Sequence, residues 1–436
     1  MPHPTWENLL ENALSARDAT NERRARRALR VMDATHVEQD GRRLVNFASN
    51  NYLGLTHHPR VIDAFDSAAK RDGVGSAAAA LVTGYTDAHA SAERAIAAWK
   101  GSESAVMLSS GYAANLAAVQ AIAAVAGGER RVRFLLDKLA HASLIDAVRG
   151  SGAAYRVFPH NHLEKLERLL VEAEPGQLQV LVTESIFSMD GDAADLAGIA
   201  RLKQKQPFVL LLDEAHGSGV YGVNGAGYAS EIGLQSIVDV TIVTLSKAIG
   251  VSGGAVCASR AFCDALINFG RSYIYSTNVP PAVAAAAEAS IAVMRDEPQR
   301  QQRVRALARD FRAGLMEMGL RLAPGGPHAG FGGTPTTRIL PRSGDEESGS
   351  SRVRSEPGVA GAYSEGSAWD SPILPVILGG ESESLKAAER LREAGFLVVA
   401  IRPPTVPRGS SRLRITLSSE HRDEEVRGLL EALQSL

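Results

Sequence analysis

The chain has 436 residues, 45% apolar and 22% charged, and its 47 Lys and Arg against 49 Asp and Glu give a net charge of −2. This size and balance fit two or three packed domains of ordinary globular composition. They exclude the basic excess of a protein that grips nucleic-acid backbone, and two cysteines, Cys257 and Cys263, cannot form a disulfide framework or a four-cysteine zinc site.

The opening residues lack the basic start and apolar core of a signal peptide. A reducing, cytoplasmic setting without a bound metal is expected. No run of about 18 strongly apolar residues predicts a membrane span; the Ala-rich run 281–294 contains Glu288 and is too weakly hydrophobic. Trp6, Leu9, Leu10, Ala13 and Leu14 recur at helical spacing and predict a helix over 6–30. Its second half carries Arg23, Arg24, Arg26, Arg27 and Arg30, which read either as a solvated face or as a clamp for an anionic substrate.

From residue 55 to 280, short apolar runs at 104–108, 133–136, 178–183, 208–212, 238–244 and 254–258 alternate with helical patterns at 112–126, 163–172 and 196–203. That alternation predicts an α/β fold with a mostly parallel sheet covered on both faces. Ligands of such sheets bind beyond the carboxyl ends of the strands. After 281 the pattern changes to helices at 282–294, 299–318 and 384–394 with strands at 371–378 and 412–417. The expected organisation is an N-terminal arm (1–54), a large domain (55–280) and a smaller α/β domain (281–436). Residues 342–370, rich in Ser, Gly, Glu and Arg, read as a mobile insertion.

Two familiar motifs fail on context. Gly217-Ser-Gly-Val-Tyr-Gly222 matches GxGxxG, but no helix clearly opens after it. Gly250-Val-Ser-Gly-Gly254 matches GxSxG, but an apolar strand rather than a helix follows. A wider constellation carries more. Asp213 ends an apolar run, His216 follows three residues on, and Lys247 follows the next apolar run. Each alone reads as a polar strand terminator. Together they match pyridoxal phosphate chemistry: a lysine to hold the aldehyde, an acid to pair with the ring nitrogen, and an amine able to act as base once desolvated. Ser109-Ser-Gly-Tyr-Ala-Ala-Asn115 adds a strand, a glycine and a helix start suited to a phosphate.

With these residues in view the sequence resembles the α-oxoamine synthases, which are fold-type I, aspartate aminotransferase-like pyridoxal 5'-phosphate transferases. The resemblance runs from about residue 6 to 433, apart from the insertion. It rests on Asn46-Phe-Ala-Ser-Asn-Asn-Tyr-Leu-Gly-Leu55, Thr183-Glu-Ser-Ile-Phe-Ser-Met-Asp-Gly191, Asp213-Glu-Ala-His-Gly217 and Thr244-Leu-Ser-Lys247. Ile401-Arg-Pro-Pro-Thr-Val-Pro407 resembles the branch that condenses L-alanine with a pimeloyl thioester, on coenzyme A or acyl carrier protein, in biotin synthesis. Glycine acylation and plain transamination are the other activities of this fold that stay open.

The resemblance implies a role for each matching residue. Lys247 would hold the cofactor, Asp213 would pair with its ring nitrogen, His141 would stack on the ring and His216 would bond its phenolic oxygen. Ser188 and Thr244 would lie near the cofactor, Gly111 and Tyr112 would meet the phosphate, and Thr277 would reach the phosphate of a neighbouring subunit in a homodimer. Arg402 would grip the substrate carboxylate with Thr405 beside it, while Asn50 and Arg24 would place the substrates. His160 and His162 read as structural. The run Ser76-Ala-Ala-Ala-Ala80 stands where the family often has a glycine-rich turn, which limits backbone freedom there.

Overall fold

The computed structural model describes residues 5–323 and 369–436. After a helix at Trp6–Ala19 come three short strands: β1 (Arg30–Val31), β2 (His36–Gln39) and β3 (Arg42–Asn46). Between β2 and β3, Asp40 and Gly41 both take positive φ (51° and 75°). Asp-Gly suits this turn because its backbone twist matches that of the antiparallel strands it joins.

Seven strands then build the main sheet: β4 (Ser104–Leu108), β5 (Val132–Asp137), β6 (Ala154–Phe158), β7 (Leu178–Glu184), β8 (Val209–Asp213), β9 (Val240–Thr244) and β10 (Gly254–Ala258). Their spatial order is β4-β10-β9-β8-β7-β5-β6. β5 to β9 are parallel. β10 is antiparallel to both β4 and β9, so it alone runs against the rest. Side chains alternate between two apolar layers, as the two-residue period of a strand requires. Leu210 and Leu212 pack with the helices Leu163–Val171, Leu196–Lys205 and Pro281–Asp296. Leu211 packs on the opposite side with the helices Gly111–Val125, Ala142–Gly150 and Arg260–Phe269.

The chain closes with β11 (Ile373–Gly379), β12 (Phe396–Leu397), β13 (Val399–Ile401) and β14 (Ser411–Thr416). β11, β14 and β13 form an antiparallel sheet, and β12 pairs parallel with β3. Among the described residues, no helix is long and apolar enough to cross a membrane.

Three expectations need adjustment. The helix expected over 6–30 spans only Trp6–Ala19; Asn21 turns to φ 53°, Arg23, Arg24, Arg26 and Arg27 lie outside any helix or strand, and Arg30 opens β1. β6 was not expected, because its residues are mostly solvent-facing and interrupt the apolar pattern. The expected insertion 342–370 lies outside the described residues except for its last two positions, and those belong to the core. Trp369 is 1% exposed and donates from Nε1 to the Gly191 carbonyl at 2.6 Å. Asp370 accepts from Arg305 Nε at 2.8 Å and from Arg309 at 3.0 Å.

In the run Ser76–Ala80, Ala77 sits at φ 57°. The run is held there by Ser76 Oγ donating to the Val279 carbonyl (2.5 Å) and by the Asn278 N–H donating to the Ala78 carbonyl (3.0 Å). A left-handed alanine pays a Cβ clash that glycine does not. Ala77→Gly is therefore expected to stabilise the chain by about 1 kcal/mol, read as a rise in thermal midpoint. A fall would show that this position is not strained.

Candidate active site

Because β5, β7, β8 and β9 are parallel, their carboxyl ends reach one edge of the sheet. Asp213 ends β8 and lies in register beside Glu184, which ends β7. Asp137 ends β5, four residues before His141, and Lys247 lies three residues beyond β9. Four polar termini that are distant in sequence thus meet in one cleft.

The Lys247 amine lies 2.8 Å from His216 Nε2. On the other side of the ring, His216 Nδ1 lies 2.7 Å from the Tyr52 hydroxyl, which donates to Asn50 Oδ1 at 3.1 Å. That direction leaves Nδ1 as donor to Tyr52 and Nε2 as acceptor from Lys247. Burial, followed by the positive charge of Lys247, Arg414 and His141, holds the His216 imidazole well below its usual range, so it is neutral. Burial lowers Lys247 to about 8, against the opposing pull of Asp213 and Glu184. Burial pushes Tyr52 up to about 12, which keeps its proton on oxygen.

Asp213 Oδ1 accepts from the Ala215 N–H (2.9 Å), and Oδ2 accepts from Asn115 Nδ2 (2.9 Å). The same Asn115 amide donates to Ser143 Oγ at 2.9 Å, and Ser143 Oγ lies 2.7 Å from His141 Nδ1. His141 Nδ1 also accepts from the Ser143 N–H at 3.2 Å and so caps the helix Ala142–Gly150. A neutral His141 therefore carries its proton on Nε2. Burial lowers the His141 pKa, countered by Asp213. Its backbone N–H donates to Glu184 Oε1 at 2.6 Å. Burial, then the adjacent Asp213, raises Glu184 well above the carboxylate range.

The helix Gly111–Val125 begins at the end of β4, with Ser110 Oγ accepting from the Ala113 N–H at 3.0 Å. The next turn's Ala114 N–H bonds the Ser110 carbonyl. The first N–H groups of a helix have no intrahelical acceptor, which leaves those of Gly111 and Tyr112 for an anion. A Cβ on Gly111 would fall 2.1 Å from Thr244 Oγ1, so only glycine lets this backbone approach Thr244. The Tyr112 hydroxyl donates to Asp146 at 2.5 Å.

The other expected residues fall into three places. Asn50 and Ser188 join the cleft through Arg414, whose guanidinium donates to Asn50 Oδ1 (3.1 Å) and to the Ser188 carbonyl (2.7 Å). Arg24 donates to Thr405 Oγ1 at 3.0 Å, and Arg402 donates to the Asn21 carbonyl, so these three connect the arm to the 402–405 loop. Thr277 is exposed and forms an isolated bridge with Ala79. Of the remaining arm arginines, Arg23 pairs with Asp18 on the surface, which fits the solvated reading. Tyr52, Asn115, Ser143, Glu184 and Arg414 were not singled out from sequence. Tyr52, Asn115 and Glu184 stand inside the motifs quoted above and Ser143 lies two residues beyond His141, and that is the signal which could have found them.

Residues 42–343 match the family described as aminotransferase class I and II. The 8-amino-7-oxononanoate synthase of Saccharophagus degradans is 37% identical over 98% of this chain and 96% of its own length. That of Methylococcus capsulatus is 39% identical over 96% and 95%. Among solved structures, the serine palmitoyltransferase of Sphingomonas wittichii superposes with a TM-score of 0.84 at 27% identity, covering 99% of this chain and 98% of that one. The S. paucimobilis enzyme with bound PLP-myriocin aldimine gives 0.83 at 25% identity, with the same coverage. With a lysine, an aspartate and a histidine gathered at the strand ends of this fold, the chain belongs to the 8-amino-7-oxononanoate synthase family of acyl-transferring, fold-type I enzymes that use pyridoxal 5'-phosphate.

Proposed function

We propose that the chain condenses L-alanine with a pimeloyl thioester, carried on coenzyme A or acyl carrier protein. The products are 8-amino-7-oxononanoate, carbon dioxide and free thiol, in cytoplasmic biotin synthesis. The naming of its full-length relatives supports the substrates. The observation that carries the chemistry is the Lys247 amine, withdrawn from water beside a neutral His216 and depressed to about 8.

The residues fit the cofactor. A free amine and a hydrogen-bonded carboxylate occupy one cleft, and the close approach of Gly111 to Thr244 at a helix start suits a phosphate. Lys247 would hold it, Asp213 would pair with its ring nitrogen, and Thr244, Gly111 and Tyr112 would receive the phosphate. Ser188 and His141 would flank the ring, and His216 would sit beside its phenolic oxygen. Thr277 would complete the site from a second copy. When bound, the cofactor supplies an electron sink for a carbanion at the substrate Cα.

The chain's own groups do the rest. Lys247, displaced by the substrate amine, takes the Cα proton onto Nζ. Arg402 would clamp the alanine carboxylate. Arg414, 5% exposed and with no carboxylate partner among the described residues, offers that anion a second cation. A buried charge without a counter-ion is costly, so an arriving carboxylate is favoured there. His141 can donate a hydrogen bond from Nε2–H to the thioester oxygen as the C–C bond forms and the C–S bond breaks to release thiolate; the Cα–carboxylate bond then breaks to give carbon dioxide, and Lys247 returns its proton to Cα. Arg24, Thr405 and Asn50 would place the substrates. The working unit would be a homodimer of chains built from the arm, cofactor domain and small domain. Exposed Leu81 (54%), Val82 (74%) and Tyr275 (72%) near Thr277 support a covering partner.

Lys247→Ala is expected to remove the visible band of bound cofactor and lower turnover by about a thousand-fold or more. Normal turnover would reject the mechanism. A depressed lysine is protonated below about pH 8 and neutral above it. The rate at which the cofactor-free protein captures pyridoxal phosphate should therefore climb as pH rises through about 8 and then level. A flat rate from pH 6 to 9 would remove Lys247 as the free nucleophile.

A visible absorbance titration distinguishes substrates. Alanine should perturb the band, with a further change on adding pimeloyl-CoA. A response to glycine alone would reassign the chain to glycine acylation, and conversion of the cofactor to its amine form would reassign it to transamination. In the same titration, Arg402→Lys or Arg414→Lys should weaken alanine about ten-fold or more if that arginine holds the carboxylate, since a lysine cannot reproduce the bidentate fork.

A further inference from the structure

The loop bearing His141 and the turn bearing Ser188 are joined by three buried groups that the reaction does not use. His160, 6% exposed, sits between two carboxylates. Its Nδ1 lies 3.0 Å from Asp137 Oδ1, and its Nε2 lies 2.6 Å from Asp192 Oδ2. Asp137 and Asp192 are 1% and 3% exposed. Burial alone would lower the imidazole pKa, but the two carboxylates raise it to about 10, so the ring is a cation that donates from both nitrogens. Phe187 packs edge-on against it, with ring centroids 4.3 Å apart.

The Asp137 carboxylate also holds backbone on its side, while Asp192 is fixed on its own through its main chain, its second carboxylate oxygen being buried without a partner. Asp137 Oδ1 accepts from the Leu139 N–H at 2.8 Å, within the four-residue link from β5 to His141. Asp137 Oδ2 accepts from the Asn161 N–H at 3.2 Å. The Asp192 carbonyl accepts from the Phe187 N–H at 2.9 Å and closes the turn that presents Ser188. Asn161 Nδ2 donates to the Ala193 carbonyl at 2.9 Å. Asp190, the other acid of this turn, faces away into Arg412. The cation therefore fixes the distance between the two segments that would flank the cofactor ring.

We infer that His160, bridging Asp137 and Asp192, is a positioning residue that sets the place of His141 against the cofactor site. The inference rests on the reading of His141 as the group that acts on the thioester. A packing residue could be replaced at a cost in stability alone. A positioning residue acts through its client, so its effect on rate disappears when the client is removed.

The experiment is a double-mutant cycle on the cofactor-saturated enzyme. His160→Gln keeps a donor but loses the charge and the second bond. It should lower kcat about ten- to a hundred-fold, the cost of a misplacement on the ångström scale, with a smaller change in the KM for alanine. In a His141→Asn background the same substitution should change kcat by less than about two-fold. Losses that multiply in the double variant, or a His160→Gln enzyme with normal kcat and only a lower thermal midpoint, overturn the inference. A normal kcat for His141→Asn alone would sink the reading of His141 itself, and this inference with it. If His160→Gln does not fold, Asp192→Asn, which keeps the acceptor and removes its charge, goes through the same cycle with the same outcomes.

Discussion

An amine that is to act as a base near neutral pH must be kept out of water without being given an ion-pair partner. Lys247 meets that condition. Its hydrogen-bond partner is an imidazole rather than a carboxylate, and the imidazole is itself too buried to take a proton. Asp213 is close enough to oppose the depression of the amine, yet its oxygens are occupied by Asn115 and the Ala215 N–H. Glu184 would be a second competitor, but burial beside Asp213 disfavours its charged form. The acids of the cleft are thus held in place without recapturing the lysine proton.

That arrangement depends on polar chains that cross the whole fold. From Lys247 the bonds run through His216 and Tyr52 to Asn50, and Arg414 meets Asn50 from β14. Three segments, at 50–52, 213–216 and 411–416, are tied through two adjacent oxygens, Asn50 Oδ1 and the Tyr52 hydroxyl. Buried networks of this kind specify geometry when every member is satisfied. One exception stands out: Asn115 Oδ1 is buried without a partner. The two donors of that amide are both used, on Asp213 and Ser143, which fixes its orientation at the expense of its acceptor.

The strands of the main sheet were legible because a sheet covered on both faces leaves near-continuous apolar runs. Lys247, Asp213 and His216 were legible because Asp213 ends such a run and the other two stand three residues beyond one. Strand direction was not legible: β10 has the same apolar character as its parallel neighbours and differs only in how the chain returns to it. β6 was hidden because an edge strand with an exposed Arg156 and Val157 loses the apolar pattern. The helix at 6–19 was overextended because arginines favour helix by propensity, while the chain stops at the Thr20 cap and turns to positive φ at Asn21. Asn115 and Asp213 are 98 positions apart, and no local pattern marks a bond between them.

Arg414 was missed for a reason that the sheet itself explains. In Ser411-Arg-Leu-Arg-Ile-Thr416 the alternation looks like an ordinary strand with polar residues facing solvent. Yet Arg412 and Arg414 are both 5% exposed. A strand turns successive side chains to opposite faces, so both arginines leave β14 on one side, and both meet the same turn. Arg414 bonds the Ser188 carbonyl, and Arg412 pairs with Asp190. Trp369 reaches the Gly191 carbonyl of that turn from β11's approach, and Asp192 is held from the other side by His160. Four polar contacts between 188 and 192 therefore come from two arginines of β14, from Trp369 ahead of β11 and from His160 just beyond β6. A turn anchored this densely cannot shift without breaking bonds to β14, so the C-terminal sheet is part of what holds this edge of the main sheet in shape.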